Sequence, residues 1–183
     1  MAELLSSIFR EVGSKMTFVM HDFGPPLTNA RIAELERELG VTLTTDYRIF
    51  LMKHNGGRPD PRFFPVRGLD GNLFRGIQIF FGVDSKIKST NVDWNYLTYL
   101  GRIPRNLLPI ACDDEGNLIC LSLGELDEGS INYWDHNNEH SPPSYDNVHL
   151  IADTFGDFLD GIHFEDLSAQ VKALKGKLIK GPH

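Results

Sequence analysis

Three short apolar segments separated by turn sequences constrain the fold more than any other feature of the chain. Residues 108–112, 118–123 and 130–134 are rich in β-branched, aromatic and other apolar side chains, which is typical of strands. The turns between them, at 113–117 and 125–129, contain Asp, Glu and Gly. Strands with such short connections pair antiparallel, because a parallel pair needs a crossover of about a dozen residues or more. The sequence therefore predicts an antiparallel meander.

Helical patterns flank this meander. Apolar residues recur at spacings of three and four within four segments, 4–12, 32–39, 47–54 and 167–178. Three of these segments are followed by residues that commonly end helices, namely Gly13, Gly40 and Asn55-Gly56-Gly57. Residues able to cap helix starts are Thr28 or Asn29, Thr45 or Asp46, and Asp153 or Thr154, the last pair before a turn with Phe155, Phe158 and Leu159.

The remaining segments complete one predicted domain. We expect a strand at 77–83, a short helix at 92–100, an edge strand at 148–151, and a loop or irregular hairpin pinned by aromatic residues at 58–76. The order of helices, meander and helices predicts α+β architecture. A central, mostly antiparallel sheet would then carry flanking N- and C-terminal helices within a single domain, 1–183.

Length and composition narrow the class of protein. A chain of 183 residues that is 41% hydrophobic is long and apolar enough to fold around one core without disulfides or metal. It has no run of about 18 apolar residues that would span a membrane. Its first residues lack the pattern of a secretory signal, so we expect a cytoplasmic protein. We also expect a monomer or weak dimer. Two cysteines exclude a disulfide framework and a four-thiolate zinc site.

The charges are distributed unevenly. The net charge is -7, but the 66 residues from 106 to 171 hold 14 acidic residues and no Lys or Arg. Phosphate-backbone binding depends on cations, so nucleic acid is not the expected partner of this region. A cationic protein partner fits the charge, while the alternative is that acidic loops merely keep the domain soluble.

The candidate partner-binding residues lie in the predicted turns and beside the third strand. They are the acidic residues of the two turns, with one aromatic residue and one further carboxylate: Asp113, Asp114, Glu115, Glu125, Asp127, Glu128, Tyr133 and Asp135. Aromatic residues supply contact area at interfaces, and carboxylates accelerate association with a cationic partner. In the alternative interpretation, Tyr133 and Trp134 alternate, one in the core and the other half exposed.

Catalytic and metal motifs are weak in this chain. Residues 136–140 match H-x-x-E-H, which binds zinc when it lies on a helix, but the following Ser141-Pro142-Pro143 and the central asparagines predict a loop. Residues 113–117 lack the alternating ligands of a calcium loop. G-x-S-x-G, G-x-G-x-x-G and Walker patterns do not occur. We therefore expect no catalytic residues, no metal and no cofactor.

Three further residues have structural rather than chemical predictions. Cys112 and Cys120 are spaced almost symmetrically about the first turn, which would let them face each other across the ladder. We expect free thiols, with a redox pair as the alternative. His54 shares an apolar helix face with Tyr47 and Phe50, which predicts a partly buried structural histidine.

Four groups of residues, in order along the chain, resemble the SUKH superfamily, which includes the Smi/Knr cell-wall-regulator-like domains. The groups are 43–51 running into Asn55-Gly56-Gly57; 103–104 with 108–113 and 116–121; Gly129, Ile131 and 133–136; and 151–155 with Phe158-Leu159. The resemblance covers about 28–159. The chain departs from the family pattern at Thr44, where Pro is usual, and in a Pro-, Gly- and Phe-rich insertion between Gly57 and Ile77.

This resemblance implies an α+β fold and a non-enzymatic role, with no fixed catalytic or binding residues. Many bacterial members resemble immunity proteins that neutralise toxins, often nucleases, and fungal members act as regulatory scaffolds. Our leading hypothesis is a cytoplasmic immunity protein that covers a basic toxin domain. The alternatives are a regulatory protein–protein scaffold and, more remotely, a metal hydrolase built on His136, Glu139 and His140.

Overall fold

A computed structural model describes residues 18–66 and 73–163 of the chain. The helices predicted at 4–12 and 167–178 lie outside the described residues. Within these residues the chain is α+β, as the sequence predicts. The elements, in order, are β1 (Val19–His21), α1 (Asn29–Leu39), α2 (Thr45–His54), β2 (Arg58–Asp60), β3 (Phe63–Val66), β4 (Leu73–Phe80), α3 (Val92–Tyr99), β5 (Leu107–Asp113), β6 (Leu118–Ser122), β7 (Ile131–Trp134), β8 (Val148–Ala152) and α4 (Phe155–Asp160).

The larger sheet is the antiparallel meander that the turn spacing predicts. Its six strands follow one another in the order β3-β4-β5-β6-β7-β8, while β1 and β2 form a separate antiparallel pair. The sheet is strongly curled. The curl brings β3 close to β8 and places the rings of Phe64 and Tyr133 6.3 Å apart. In a flat sheet, β3 and β7 would be separated by about 19 Å. The curl gives the sheet a concave and a convex face.

Aromatic side chains fill the concave face. Phe158 of α4 lies edge-on to Phe64 at 5.5 Å, and Phe50 of α2 lies 4.9 Å from Phe80. These rings are all buried, and edge-to-face pairs of this kind add to the stabilisation that burial provides. The two helices therefore close the concave side of the sheet.

On the convex face, α3 packs over part of the meander. The ring of Tyr99 lies edge-on to Trp134 at 5.7 Å, and Arg102 lies over the Tyr99 ring at 4.9 Å. β5, β6 and β7 are consequently buried on both faces, which explains why their sequences are apolar without regular alternation.

Helix boundaries follow the predicted capping chemistry at most ends. Thr28 caps α1 by accepting from the Arg31 N–H, and Gly40 ends that helix with a φ of 67°. Thr154 caps α4 in the same way. At α2 the prediction is one residue late: Thr44 occupies the N-cap position, and its hydroxyl donates to Asp46 Oδ1 at 2.6 Å. Asn55 ends α2 in the left-handed conformation, as predicted.

The insertion at 58–76 contributes strands to both sheets. β2 pairs with β1, and β3 forms the predicted hairpin with β4, in which Phe63 faces Gly76 and Val66 faces Leu73. β4 begins four residues before the predicted strand. The insertion thus extends the large sheet beyond β5 and places its own arginines beside the turn between β5 and β6.

Candidate partner-binding site

The two acidic turns lie at opposite ends of the meander. β5 and β6 are joined at one end, and β6 and β7 at the other, because successive turns of antiparallel strands alternate between the ends of a sheet. The loop after β7 returns to the first end, where the His136 N–H donates to Asn117 Oδ1 at 3.1 Å. The acidic residues that the sequence predicts as one partner-binding site therefore lie at two opposite ends of the sheet.

Asp113 organises the first turn from inside. Its carboxylate is 1% exposed and accepts hydrogen bonds from the Tyr133 hydroxyl at 2.7 Å and Asn117 Nδ2 at 2.9 Å. It also accepts from the backbone N–H groups of Glu115 and Asn117. Four donors around one buried carboxylate fix the turn. The expectation that Asp113 faces a partner does not hold, because its oxygens do not reach solvent.

The other two acidic residues of the first turn are neutralised by the insertion. Asp114 accepts from Arg62 Nη1 at 2.6 Å, and Glu115 accepts from Arg75 Nη1 at 2.6 Å. Asp114 and Glu115 are exposed, but each carries its own counter-charge. This end of the sheet therefore presents paired charges rather than a negative surface.

The predicted site residues Tyr133, in β7, and Asp135, directly after it, are buried as well. Tyr133 and Trp134 are both in the core, so the alternating interpretation, in which one of them is half exposed, also fails. Burial, and then the hydrogen bond to Asp113, raise the pKa of Tyr133. Asp135 caps a short 3₁₀ turn by accepting from the Asn137 N–H and Asn138 Nδ2. Burial opposes ionisation of Asp135, but these hydrogen bonds outweigh it and lower its pKa.

The second turn has the opposite character. Asp127 holds it together, since its carboxylate accepts from Ser122 Oγ at 2.8 Å and from Ser130 Oγ at 3.4 Å. Glu125 and Glu128 are exposed and make no hydrogen bond or ion pair with any described residue. Between them Leu126 is fully exposed, with a relative accessibility of 103%. This turn presents free carboxylates and an apolar side chain to solvent.

A groove of about 650 Å³ runs beside the second turn on the convex face. Its carboxylates are Glu125, Asp127, Glu128 and Asp153. Its apolar and aromatic residues are Leu126, Tyr145, Val148 and Leu150. Ser130 and Asn132 contribute polar atoms to its floor. None of the described residues that line the groove is Lys or Arg, so this part of the structure forms an acidic site with apolar groups in its floor.

Strand register explains the floor of the groove. Asn132 of β7 faces Leu150 of β8, and Trp134 faces Val148, so these four residues share the convex face. α3 covers this face at Trp134, whereas Asn132 and Leu150 line the groove. Leu150 is half exposed for this reason.

Sequence reasoning did not identify seven residues of this groove, namely Leu126, Ser130, Asn132, Tyr145, Val148, Leu150 and Asp153. Leu126 carries a local signal, because it is an apolar residue between carboxylates at the tip of a turn. The others depend on the pairing of β7 with β8, which the residue types do not specify.

Two of the H-x-x-E-H residues, His136 and Glu139, are engaged by other residues. His136 begins a 3₁₀ turn, and its Nδ1 lies 2.7 Å from Asn117 Oδ1. Both oxygens of Glu139 accept from Arg102, at 2.9 and 2.7 Å, and this hydrogen bonding lowers the pKa of Glu139. Within 18–66 and 73–163, no group of three or more His, Cys, Asp or Glu is placed to hold a metal ion.

The cysteines do not face each other across the ladder. Cys112 lies opposite Leu118 and Cys120 opposite Pro109, so the register of β5 with β6 keeps the two thiols apart. Both are free thiols, and burial raises the pKa of Cys112 to about 12.

His54 is partly buried, as predicted. Its ring lies 5.4 Å from Phe50, and loss of solvent lowers its pKa.

None of the described helices is long and apolar enough to cross a bilayer.

Comparison with known proteins identifies a family and a relative of the chain. Residues 26–161 match the SMI1 / KNR4 family (SUKH-1), a range that includes the meander, both acidic turns and the groove. The chain is 30% identical over 160 residues to the SPbeta prophage-derived uncharacterized protein YokK of Bacillus subtilis (strain 168), with 78% of each chain covered. The family includes immunity proteins that bind toxins, and its members are generally non-enzymatic. The chain belongs to the SMI1/KNR4 (SUKH-1) family.

Proposed function

We propose that the protein is a cytoplasmic immunity protein that binds a cationic toxin domain and neutralises it by covering its active surface. The observation that carries this proposal is the second turn, whose Glu125 and Glu128 are free of ion pairs with described residues and border a groove to which the described part of the chain contributes no Lys or Arg. Free carboxylates attract a basic surface and increase its association rate. On a nuclease toxin they would occupy positions that nucleic-acid phosphates otherwise take.

Family membership supports a protein partner, and the relative from a bacterial prophage supports the immunity role over the scaffold role of fungal members. Neutralisation by occlusion needs no reaction, so the expected stoichiometry is one protein for each toxin domain.

The direct test is co-expression with the toxin domain encoded by the adjacent gene. We expect the protein to restore growth of cells that produce the toxin and to co-purify with it as a one-to-one complex. Titration should abolish toxin activity at equimolar protein. Loss of toxin activity at a small fraction of one equivalent would indicate an enzyme instead. Failure to bind, together with capture of a cell-wall or signalling protein, would favour the regulatory scaffold.

A further inference from the structure

The groove on the convex face combines three kinds of group that are complementary to one type of ligand. Its rim carries the free carboxylates Glu125, Glu128 and Asp153, for which no described residue provides a counter-charge. Asp127 also lines the groove, but its oxygens are engaged by Ser122 and Ser130. The rim is therefore negative on both sides, from the second turn and from the end of β8.

The floor of the groove adds an acceptor that no described residue uses. Asn132 is only 7% exposed, and its Nδ2 donates to Ser130 Oγ at 3.1 Å. Its Oδ1 accepts no hydrogen bond from any residue in the described ranges. This oxygen is not among the buried polar atoms that lack a partner, so it is accessible from solvent and can accept an N–H group from a ligand.

The apolar groups lie between these polar ones. Val148 and Leu150 form the floor beside Asn132, and Tyr145 is held at the edge by a hydrogen bond from its hydroxyl to Asn106 Oδ1. A compact cation would use only the carboxylates. A long side chain with an apolar stem and a cationic head would use the floor, the aromatic ring and the rim together.

We infer that this groove binds an arginine or lysine side chain from an extended segment of the partner, with its head between the rim carboxylates and Asn132 Oδ1. This inference rests on the proposed function for the identity of the partner, and on the groove itself for the chemistry. Arginine fits better than lysine, because its planar head reaches a carboxylate and the amide oxygen at once.

The test uses a short peptide, acetyl-Leu-Arg-Leu-amide, and its neutral analogue with citrulline in place of arginine. We expect the arginine peptide to shift the amide NMR signals of 125–132 and 148–153, and the citrulline peptide to shift them little at the same concentration. The variant Glu125→Gln/Glu128→Gln/Asp153→Asn should weaken peptide binding about tenfold or more, because it removes all three free charges. The control Asp114→Asn/Glu115→Gln should leave peptide binding unchanged.

Equal shifts with both peptides, shifts centred on 113–117, or no shifts at all would each overturn the inference. Failure of the inference is distinguishable from failure of the proposed function. If the toxin domain binds with the same affinity to the groove variant and the parent protein, the function stands and the groove is not its site. If the peptide binds in the groove but no toxin is neutralised, the groove chemistry stands and the function does not.

Discussion

The two acidic turns of the meander have similar sequences and opposite structural roles. Each contains three carboxylates and a glycine at positive φ, Gly116 in the first and Gly129 in the second. In the first turn, Asp113 is buried under four hydrogen bonds, and Asp114 and Glu115 pair with arginines. In the second, Asp127 is the one carboxylate that residues of 18–66 and 73–163 engage. A dense run of carboxylates therefore does not by itself make an acidic surface.

The difference comes from what the rest of the chain places at each end of the sheet. The insertion at 58–76 brings Arg62 and Arg75 to the first turn, about 40 to 50 residues away in sequence. The second turn lies at the opposite end, where the neighbouring strand β8 contributes Asp153 and apolar residues instead.

The largest expected effect is on stability, at the first turn. Asp113→Ala leaves the Tyr133 hydroxyl, Asn117 Nδ2 and two backbone N–H groups without their acceptor in a buried site. We expect the free energy of unfolding to fall by about 3 kcal/mol or more, measured by urea denaturation. The neighbouring Asp114→Ala is the control and should cost less than about 1 kcal/mol. Similar losses from both variants would contradict the structural role of Asp113.

A smaller effect is expected at the equivalent position of the second turn. Asp127→Ala removes the acceptor of Ser122 Oγ and Ser130 Oγ, but the turn is exposed and water can replace the carboxylate. We expect a loss of about 1 kcal/mol in the same measurement. A loss as large as that of Asp113→Ala would show that the two turns are more alike than their burial indicates.

Removing the arginines should make the first turn resemble the second. Arg62→Gln and Arg75→Gln together free Asp114 and Glu115, at a cost of less than about 1 kcal/mol for each exposed pair. We expect the arginine peptide to shift the amide signals of 114–115 in this variant and not in the parent protein. If these signals remain unshifted, free carboxylates without an apolar floor are insufficient for binding.

The smallest expected effect is on the pKa of Glu139 and on stability at low pH. The hydrogen bonds from Arg102 hold the pKa of Glu139 below its ordinary value of 4.5. A carboxyl group with a lowered pKa in the folded state stabilises the fold above its unfolded-state pKa, and that contribution is lost as the pH falls through the folded-state pKa. Arg102→Gln should raise the titration midpoint of Glu139, measured by NMR, and should make stability less dependent on pH below about 4.5. An unchanged midpoint would contradict the pairing.

Much of the fold follows from local sequence signals. The sequence predicts the strands of the large sheet from β4 onward, the tight turns and the helix ends at Gly40 and Asn55, because these signals act on the backbone beside them, whereas β1, β2 and β3 were not predicted as strands. The burial of both Tyr133 and Trp134, on opposite faces of the sheet, was not predicted, because it requires helices on both sides of β7.

The candidate site was predictable only in part, for the same reason. Glu125 and Glu128 could be identified from charge alone. The neutralisation of Asp114 and Glu115 depends on distant arginines, and the groove depends on the register of β7 with β8. Neither is encoded by the residues of the turn itself.

The most direct test compares binding of the toxin domain by two matched variants, each lacking two carboxylates from one turn. Glu125→Gln/Glu128→Gln should weaken binding about tenfold and reduce its dependence on salt, because it removes charges without internal partners. Asp114→Asn/Glu115→Gln should bind within about twofold of the parent protein, because its charges are already paired. Equal weakening by both variants, or weakening by the second alone, would contradict the central claim that only the second turn is free to bind a partner.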